Sequence, residues 1–384
     1  MNNNLYKYME NCKTKIKQII LHFLHYYHSK KHIKFYKRLM KINNIPNTFQ
    51  DGENEWINKW SGLGIKANPI YYRLFYHYIG RDLNIMPEDI SHDIIELLLN
   101  PPRFSKYYAD KNIFDKLFPE GYLPQTILRR MNGFWYNKDY YRINLNNDTL
   151  FDILNKSEIN RMILKPSIDG MSGRGIKLLE KKEGTWFINN EQLSFEKLQK
   201  YSENFIIQKC VNQHKDISKF NPTSINTLRL TLYRSIRDDK CVIPSAILRI
   251  GGKGSIVDNA HAGGGYIGIN VKTGKLFHKV LDQYGRSQKI FNNINFEDNF
   301  IIPNWEKILE FAKSIGYYVP HHRLLALDLI LQEDGTPMML EFNVEYYGMW
   351  LFQFTTGSAL GEYTDEIIEY CKQSKNKLES QILL

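Results

Sequence analysis

Cysteine is scarce in this chain of 384 residues, which contains four cysteines in total. Cys12, Cys210, Cys241 and Cys371 are widely separated, and no pair has the spacing of a Cys-x-x-Cys motif. Structural zinc sites and disulfide frameworks need closely spaced cysteines, so this distribution argues against both. We therefore expect reduced thiols, in a chain that is long enough to bury a large core and to form two or three lobes.

Long apolar runs are also missing. The strongest candidate, residues 19–27, is too short to span a bilayer and is interrupted by histidines. The first residues do not show an apolar core followed by a small-residue cleavage site, which a secretory signal would need. These features predict a cytoplasmic protein, either soluble or peripheral at the inner face of the membrane.

Acidic residues are nearly absent from the first 44 residues, where ten Lys or Arg and one Glu supply +9 of the chain's net charge of +10. Apolar residues recur there at helical spacing, which predicts a basic amphipathic helical segment over residues 1–45. Such a segment either contacts an anionic membrane surface or docks on the rest of the protein with its basic face in solvent. Nucleic-acid binding is not expected, because arginine-rich and RNA-binding signatures are absent.

Two apolar runs near the C-terminus predict a β-hairpin that carries acidic side chains. The strands cover residues 324–331 and 338–342, and residues 333–337 between them have turn chemistry. Because strand side chains alternate between faces, Glu341 and Asn343 point the same way, and Asp328 on the neighbouring strand can face them. These oxygen ligands suit a Mg²⁺ ion that also binds phosphate. The alternative is an ordinary hairpin with two exposed acidic residues.

A lysine-bearing strand followed by a glycine-rich loop lies upstream. Lys165 is in the strand over residues 162–167, and the loop over residues 168–175 leads into another strand. The glycines Gly170, Gly173 and Gly175 allow the loop backbone, together with Ser172, to approach a triphosphate closely, while Lys165 supplies positive charge. The loop lacks the Gly-Lys-Ser/Thr ending of a P-loop and no helical pattern follows it. The alternative is a simple glycine-rich turn.

The order of these elements, with the lysine and the glycine loop first and Asp…Glu-x-Asn far downstream, resembles the ATP-grasp superfamily over residues 105–355. The resemblance implies an α+β fold in which two lobes grip ATP, with ATP and Mg²⁺ as cofactors and Asp328, Glu341 and Asn343 as metal ligands. It also implies a phosphate contact from Lys111, which opens a helical stretch, and a hinge over residues 204–211. The other implied ATP-binding residues are Gln208, Lys209 and Val211, and Asp216 is a candidate for the ribose contact.

Within the superfamily, five segments are similar to the sugar-transfer-associated ATP-grasp proteins of polysaccharide biosynthesis. They are residues 225–229, 249–251, 257–259, 263–265 and 340–343. This resemblance implies an ADP-forming carboxylate–amine ligase that acts through an acyl phosphate. The implied partners are ATP, a carboxylate-bearing sugar or glycan such as a uronic acid, and an amino acid or amino alcohol, in the synthesis of a surface polysaccharide or capsule.

Two other functions remain open from the residues. A phosphotransferase would use the same lysines and metal ligands but pass phosphate to a sugar or glycan hydroxyl. A non-catalytic glycan-binding scaffold would keep the fold and tolerate loss of the metal ligands, which this chain retains.

The implied ligase reaction also requires positive charge at the reacting carbonyl. Several amino-acid ligases of the superfamily have an arginine two residues before the first metal aspartate, where this chain has Ala326. Arg229 and then Arg249 are the candidates to replace that arginine, because a cationic donor stabilises the oxyanion formed when the amine attacks. The alternative for each is a surface arginine in an ion pair.

A glycine-rich bend over residues 258–265 is the candidate substrate-binding segment. Asp258, Asn259 and His261 supply polar groups there, and Gly264 allows close approach of the backbone. The alternative for His261 is a loop histidine that forms ordinary hydrogen bonds.

These motifs predict four regions. They are a basic helical segment (residues 1–45), a mainly helical lobe leading into the core (46–158), a lid subdomain (159–211), and a large subdomain with the metal site and a C-terminal helix (212–384).

Overall fold

The computed structural model describes residues 3–168, 170, 173–255, 258–378 and 381. Short stretches of 3₁₀- or π-helix lie at Ser91–Ile95, Lys111–Ile113, Ala260–Ala262, Gly316–Tyr318 and Gly361–Tyr363. The α-helices are α1 (Asn3–Ile42), α2 (Glu53–Ser61), α3 (Pro69–Ile79), α4 (Glu88–Ile90), α5 (Glu96–Leu99), α6 (Pro102–Ala109), α7 (Phe114–Leu117), α8 (Asn147–Lys156), α9 (Phe195–Tyr201), α10 (Lys215–Ser218), α11 (Trp305–Ile315), α12 (Met349–Gln353), α13 (Thr364–Gln373) and α14 (Lys375–Leu378).

The strands form two large sheets and one small ribbon. They are β1 (Thr126–Met131), β2 (Phe134–Asn137), β3 (Arg161–Pro166), β4 (Lys177–Lys182), β5 (Thr185–Ile188), β6 (Glu191–Gln192), β7 (Phe205–Lys209), β8 (Leu228–Arg234), β9 (Cys241–Ile250), β10 (Gly265–Ile269), β11 (Val280–Leu281), β12 (Ser287–Gln288), β13 (Ile290–Phe291), β14 (Ile294–Asn295), β15 (Leu324–Leu331) and β16 (Pro337–Asn343). This mixture of helices and antiparallel sheets confirms the predicted α+β class.

The first sheet is antiparallel, with the strand order β2-β1-β7-β3-β4-β5-β6. Alternate residues of β3 and β7, among them Leu164 and Ile207, pack with Leu150 of α8 and Leu198 of α9 into one core. The sheet includes β1 and β2, which precede residue 159, where the lid subdomain was predicted to begin. Strands β1 and β2 belong to this sheet because β1 pairs with β7, which lies about 80 residues later in the chain.

The second sheet has the order β12-β11-β10-β9-β8-β15-β16 and is covered on both faces. All eight residues of β15 are buried. One face of the sheet packs on α11 through residues such as Leu325 and Leu327, while Leu324 and Ala326 pack on the other face with the N-terminal helices. Burial on both faces explains why β15 reads as an almost continuous apolar run.

The N-terminal helices share a core with the C-terminal helices and with the second sheet. Tyr36 of α1 contacts Tyr71 and Phe75 of α3, and Phe75 contacts Phe354. Residues 1–45 and 46–158 were predicted as a basic segment followed by a helical lobe, but the core is common to both and continues into the large sheet. Helix α1 is continuous over 40 residues, a length of roughly 60 Å.

A buried asparagine joins the N-terminal helices to the strand that carries Asp328. The side-chain nitrogen of Asn100 donates to the carbonyl oxygens of Leu324 (2.7 Å) and Val344 (2.9 Å). Its side-chain oxygen accepts from the backbone N–H groups of Arg323 (3.0 Å) and Leu324 (3.1 Å). One side chain therefore satisfies four backbone groups where α5 ends beside the start of β15.

Replacing Asn100 with leucine removes these hydrogen bonds without removing much volume. We expect Asn100→Leu to lower the free energy of unfolding by about 2–4 kcal/mol, since buried backbone groups lose their partners. Urea denaturation followed by tryptophan fluorescence measures the change. Asn144→Leu, at an exposed position, is the matched control and should shift stability by less than about 0.5 kcal/mol. Equal midpoints for the two variants would contradict this role of Asn100.

Candidate functional site

The predicted acidic hairpin is present, and its two carboxylates face each other. Strands β15 and β16 are antiparallel, with Asp328 directly opposite Glu341 and Ala326 opposite Asn343. Opposed residues of paired strands project from the same face of the sheet. Phe342 projects to the other face, where it stacks on Phe114 with ring centroids 4.8 Å apart. The alternation inferred from the sequence therefore holds in the structure.

A β-bulge lies next to this pair of carboxylates. Asp328 pairs with Glu341, but Leu329 pairs with Met339, so Leu340 is the extra residue. Bulges bend a strand and redirect its groups, often beside functional sites. The carbonyl oxygen of Leu340 accepts a hydrogen bond from Nζ of Lys165 at 3.3 Å. The bulge thus joins the hairpin to strand β3 of the other sheet.

Cations from four elements surround the two carboxylates. Arg229 lies opposite Asp328 on β8, and its guanidinium is 3.4 Å from the Asp328 carboxylate. Arg249 of β9 approaches the same carboxylate at 3.5 Å. Lys111, at the start of the 3₁₀ turn, is 3.2 Å from Glu341. With Lys165 close to both Lys111 and Glu341, the region is a mixed cluster in which positive charge is in excess.

The charges of this cluster shift its pKa values in opposite directions. Burial would raise the pKa of Glu341, but Lys111 and Lys165 outweigh it and lower that pKa to about 2. Burial and the Lys111 cation lower the pKa of Lys165 to about 8. Burial raises the pKa of the Asp328 carboxyl, against the opposing effect of the two arginines. Glu341 is therefore ionised at neutral pH, and Lys165 is an unusually acidic ammonium group.

A cavity of about 590 Å³ lies between the two sheets, above these side chains. Strand β3 contributes Arg161, Ile163 and Lys165, which alternate with core residues and so share one face. The sequence-predicted residues that line the cavity are Lys111, Lys165, Gly170, Gly173, Gln208, Lys209, Val211, Arg249, Asp258, Asn259, Asp328 and Glu341. Most of the residues predicted from distant parts of the chain are thus brought together in one place.

The glycine-rich loop forms part of one wall of the cavity. Gly170 and Gly173 line it, and Gly173 has a φ of +75°, which favours glycine. Gly175 lies behind this wall, where its carbonyl oxygen accepts a hydrogen bond from the Tyr201 hydroxyl at 2.6 Å. The predicted residue Ser172 lies outside the residues that the structure describes.

The predicted hinge, residues 204–211, contains β7 and lies between two cavities. Gln208 is buried, and its side chain donates to the Pro124 carbonyl oxygen (3.2 Å) and the Thr126 hydroxyl (3.3 Å), so it holds β7 against β1. Lys209 and Val211 line the first cavity and also a neighbouring one of about 890 Å³. The second cavity is lined by five acidic residues and two lysines, and Lys111 and Lys165 line only the first, so the first cavity fits a polyanion better.

The opposite end of the cavity is built around Arg249. This guanidinium is 3.1 Å from the carboxylate of Asp258. Asp258 in turn accepts hydrogen bonds from both the backbone N–H (3.0 Å) and the hydroxyl of Thr227. Burial would lower the pKa of Arg249, but Asp258 and Asp328 outweigh it and raise that pKa. Thr227, Asp258 and Arg249 therefore form a connected chain that holds a cation at the cavity wall.

Other predicted residues lie outside the cavity lining. Asp216 is half-exposed beside His214. The ring of His261 contacts the side chain of Gln283 at 2.6 Å, and a Cβ on Gly264 would come within 2.8 Å of two carbonyl oxygens, so close packing of the bend requires that glycine. Arg229 contacts Asp328 without lining the cavity, and Asn343 lies beyond Glu341 on the same face. Asp216, His261, Gly264, Arg229 and Asn343 all lie within the described part of the chain and do not line the cavity.

Thr227 and Arg174 also line the cavity, and neither was among the sequence candidates. Thr227 supports Asp258, and its position two residues before Arg229 on one strand face was the available signal. Arg174 lies between the loop glycines Gly173 and Gly175 and adds a further cation to the wall. A charged residue within a glycine-rich loop indicates that the loop can bind a ligand through a side chain as well as through its backbone.

The donor atoms at the hairpin suit a hard cation. Within the described residues, no cluster of three or more His, Cys, Asp or Glu side chains is arranged to hold a metal ion. Asp328, Glu341 and Asn343 nevertheless share one strand face and offer only oxygen ligands. Mg²⁺ favours such incomplete oxygen sites, in which phosphate and water complete the coordination shell. The residues present therefore fit a phosphate-bound Mg²⁺ ion.

Comparison with known proteins gives a family match and weak structural similarities. A family described as "Sugar-transfer associated ATP-grasp" matches residues 91–368. No curated protein matches the sequence. Among solved structures, a D-cycloserine synthetase has 13% identity and a TM-score of 0.40, with 70% of this chain and 73% of that chain covered.

Two further solved structures are similar at the same level. A D-alanine–D-alanine ligase from Bacillus anthracis has 13% identity and a TM-score of 0.36, with 71% of this chain and 69% of that chain covered. An ADP complex of N5-carboxyaminoimidazole ribonucleotide synthetase has 13% identity and a TM-score of 0.38, with 67% and 52% covered. This chain thus spans about half the length of the latter protein.

The lowered pKa of Lys165 makes the predicted contact of this residue with ATP testable through its pH dependence. A folded-state pKa of about 8 means that Lys165 loses its charge as the pH rises through that value. We therefore expect the affinity for ATP to fall by roughly tenfold at alkaline pH, as one charged hydrogen bond is lost. In Lys165→Arg the charge persists, so its affinity should stay nearly constant over the same range.

Isothermal titration calorimetry across neutral and alkaline pH measures this difference. Lys200→Arg, at an exposed position, is the matched control and should retain the pH dependence of the unmodified protein. The assignment would be wrong if the unmodified protein and Lys165→Arg lost affinity in parallel.

Proposed function

This chain belongs to the sugar-transfer associated ATP-grasp family, and from that premise we propose that it is an ATP-dependent carboxylate–amine ligase. The observation that carries the proposal is the convergence of Lys111, Lys165, Glu341 and Arg249 on one cavity between two sheets. Its volume of about 590 Å³ lies in the range of roughly 300–1,000 Å³ that is usual for small-molecule sites. These four residues supply the charges that an ATP-driven acyl transfer needs.

The triphosphate of ATP would occupy the end of the cavity nearest the hairpin. Lys111 and Lys165 offer ammonium groups there, and Arg174 approaches from the glycine loop. The flexible glycines let the loop backbone close over the phosphates. The adenine would then lie toward Val211 at the hinge, which lines the same cavity. ATP thus spans the cleft and contacts both sheets.

Asp328, Glu341 and Asn343 would hold Mg²⁺. When bound, the ion neutralises charge on the phosphate oxygens and favours attack at the terminal phosphorus. The low pKa of Glu341, set by Lys111 and Lys165 against the effect of burial, keeps this ligand ionised at neutral pH.

In the first step, a substrate carboxylate oxygen attacks the γ-phosphorus of ATP in line with the departing ADP. Lys111 and Lys165 hold the phosphate oxygens and stabilise the charge that develops on them. The bond between the γ-phosphorus and the β,γ-bridging oxygen breaks as the new P–O bond forms. The products are ADP and an acyl phosphate, in which the carboxyl carbon is activated toward a nucleophile.

In the second step, the amine attacks the acyl carbon, phosphate leaves, and the amine nitrogen loses a proton. The tetrahedral intermediate carries an oxyanion, and one preorganised cationic donor at such a position is worth about 3 kcal/mol. Arg249 lines the cavity and is held by Asp258, so it is the better-placed donor, while Arg229 lies behind Asp328. Asp258 and Asn259 lie at the same end and would position the carboxylate substrate.

We propose a uronic-acid sugar or glycan precursor as the carboxylate substrate and an amino acid or amino alcohol as the amine. The family's association with sugar transfer supports a role in surface polysaccharide synthesis. Because the reaction consumes ATP, the proposed location is the cytoplasmic side of the membrane. The polar groups Thr223, Ser224 and Asn259 at the acceptor end suit recognition of sugar hydroxyls.

The experiment that tests this function measures ADP and phosphate release with ATP and Mg²⁺, for uronic-acid sugar nucleotides crossed with a panel of amines. We expect equal amounts of ADP and phosphate, dependent on both the carboxylate and the amine. Glu341→Gln should reduce turnover by at least roughly 100-fold, whereas Glu297→Gln, at an exposed position, should have no effect. ADP without free phosphate, in reactions that need no amine, would instead identify a sugar kinase.

The geometry of the two arginines predicts unequal effects of their substitution. We expect Arg249→Lys to lower kcat by on the order of 100-fold with a small change in KM for ATP, since the lost contact acts mainly in the transition state. Arg229→Lys is the matched control, because it keeps a cation beside Asp328 but does not alter the cavity wall. Steady-state kinetics separates the two, and a larger kcat loss for Arg229→Lys would reverse the assignment.

A further inference from the structure

Helix α1 has two different faces, and its inner face is fixed to the protein by histidines. His25 and His28 each lie 2.7 Å from the carboxylate of Asp93, and His32 lies 3.6 Å from Glu88. Farther along the same face, Tyr36, Leu39 and Met40 are buried in the shared core. The orientation of the helix about its own axis is therefore set by specific contacts.

The outer face of α1 exposes large apolar side chains to solvent over residues 16–27. Ile16, Ile19, Phe23 and Tyr27 recur at intervals of three and four residues, so they form one stripe. Their exposed fractions are 52%, 69%, 68% and 61%. Scattered exposed apolar residues are normal, but a contiguous stripe of this kind marks an interaction surface.

The same face continues as a row of lysines in the C-terminal half of α1. Lys30, Lys34, Lys37 and Lys41 are exposed and follow the apolar stripe at the same helical spacing. The sequence of α1 contains a single acidic residue, Glu10. The outer face thus combines an apolar part, residues 16–27, with a strongly cationic part, residues 30–41.

We propose that the outer face of α1 binds the surface of an anionic phospholipid bilayer. The apolar stripe would enter the boundary between headgroups and acyl chains, and the lysines would contact lipid phosphates. Among the residues that the structure describes, no helix is both long enough and apolar enough to cross a membrane. In this proposal the association is peripheral, and the helix lies along the surface.

Charge favours lipid over other partners for this face. A second copy of the chain would bring two rows of lysines together, which is repulsive. Nucleic acid would match the lysines but would leave the stripe of Ile16, Ile19, Phe23 and Tyr27 in water. An anionic bilayer matches both the apolar part and the cationic part of the face.

The inner contacts connect membrane binding to the orientation of the catalytic body. The segment that receives His25, His28 and His32 continues into α5, where the carboxylate of Glu96 accepts the backbone N–H of Tyr346 at 3.1 Å. Tyr346 follows shortly after Asn343 of the hairpin. A membrane-bound α1 would thus hold the cavity in a fixed orientation relative to the bilayer. Binding itself does not depend on the proposed reaction.

Sedimentation of the full-length protein with vesicles tests this proposal. We expect binding to vesicles that contain phosphatidylglycerol, little binding to phosphatidylcholine alone, and weaker binding at high salt. The double variant Ile19→Ser/Phe23→Ser should bind on the order of 100-fold more weakly, as two interfacial side chains are lost. Lys34→Glu/Lys41→Glu should show a similar loss.

Matched controls lie elsewhere on the surface. Ile290→Ser/Ile301→Ser replaces two residues that are each 63% exposed, and Lys272→Glu/Lys279→Glu makes the same change in net charge at exposed positions. Both should bind like the unmodified protein, and ATP binding by every variant confirms that it is folded. The proposal is overturned if the unmodified protein fails to sediment with anionic vesicles, or if the α1 variants and the controls bind equally. It is also overturned if light scattering shows a dimer that Ile19→Ser/Phe23→Ser disrupts, without vesicle binding.

Discussion

Asp328 and Glu341 face each other across two antiparallel strands, and like charges in that position repel unless cations compensate them. Arg229 and Arg249 approach Asp328 from the neighbouring strands, while Lys111 approaches Glu341 from outside the sheet. Each cation comes from a different part of the chain, so the site forms only when those parts are assembled. The cations more than compensate the two carboxylates, so an excess of positive charge remains for an anionic ligand.

The position of this cluster follows from how one face of the large sheet is covered. Along β15, Leu324 and Ala326 lie beneath the N-terminal helices, and Asp328 is the next residue on the same face. On β8, Tyr233 is likewise covered by the helices, and Arg229 is four residues away on that face. The sheet face therefore changes from apolar to charged where its helical cover ends and the cavity begins. Asn100 holds the two regions in register through four backbone groups.

Helix α1 packs on the outer side of the helical core that covers this sheet face. Its docking combines part-buried contacts between histidines and carboxylates with apolar packing, and the neighbouring His92 shows the effect of such carboxylates on a histidine pKa. Burial lowers the pKa of His92, but Glu96 and Glu88 outweigh it and raise that pKa to about 10. The contacts that dock α1 lie on its inner face, and the large apolar residues of its outer face are exposed.

The sequence by itself determined the features that have a local pattern. The hairpin of β15 and β16 and the strand carrying Lys165 were predicted because alternation and turn residues are visible within a few residues. Only the tertiary structure decided that β1 joins β7, that Arg249 and not Arg229 lines the cavity, and that His261 turns toward Gln283. These outcomes depend on pairing and side-chain contacts between segments far apart in the chain, for which no local periodicity provides a signal.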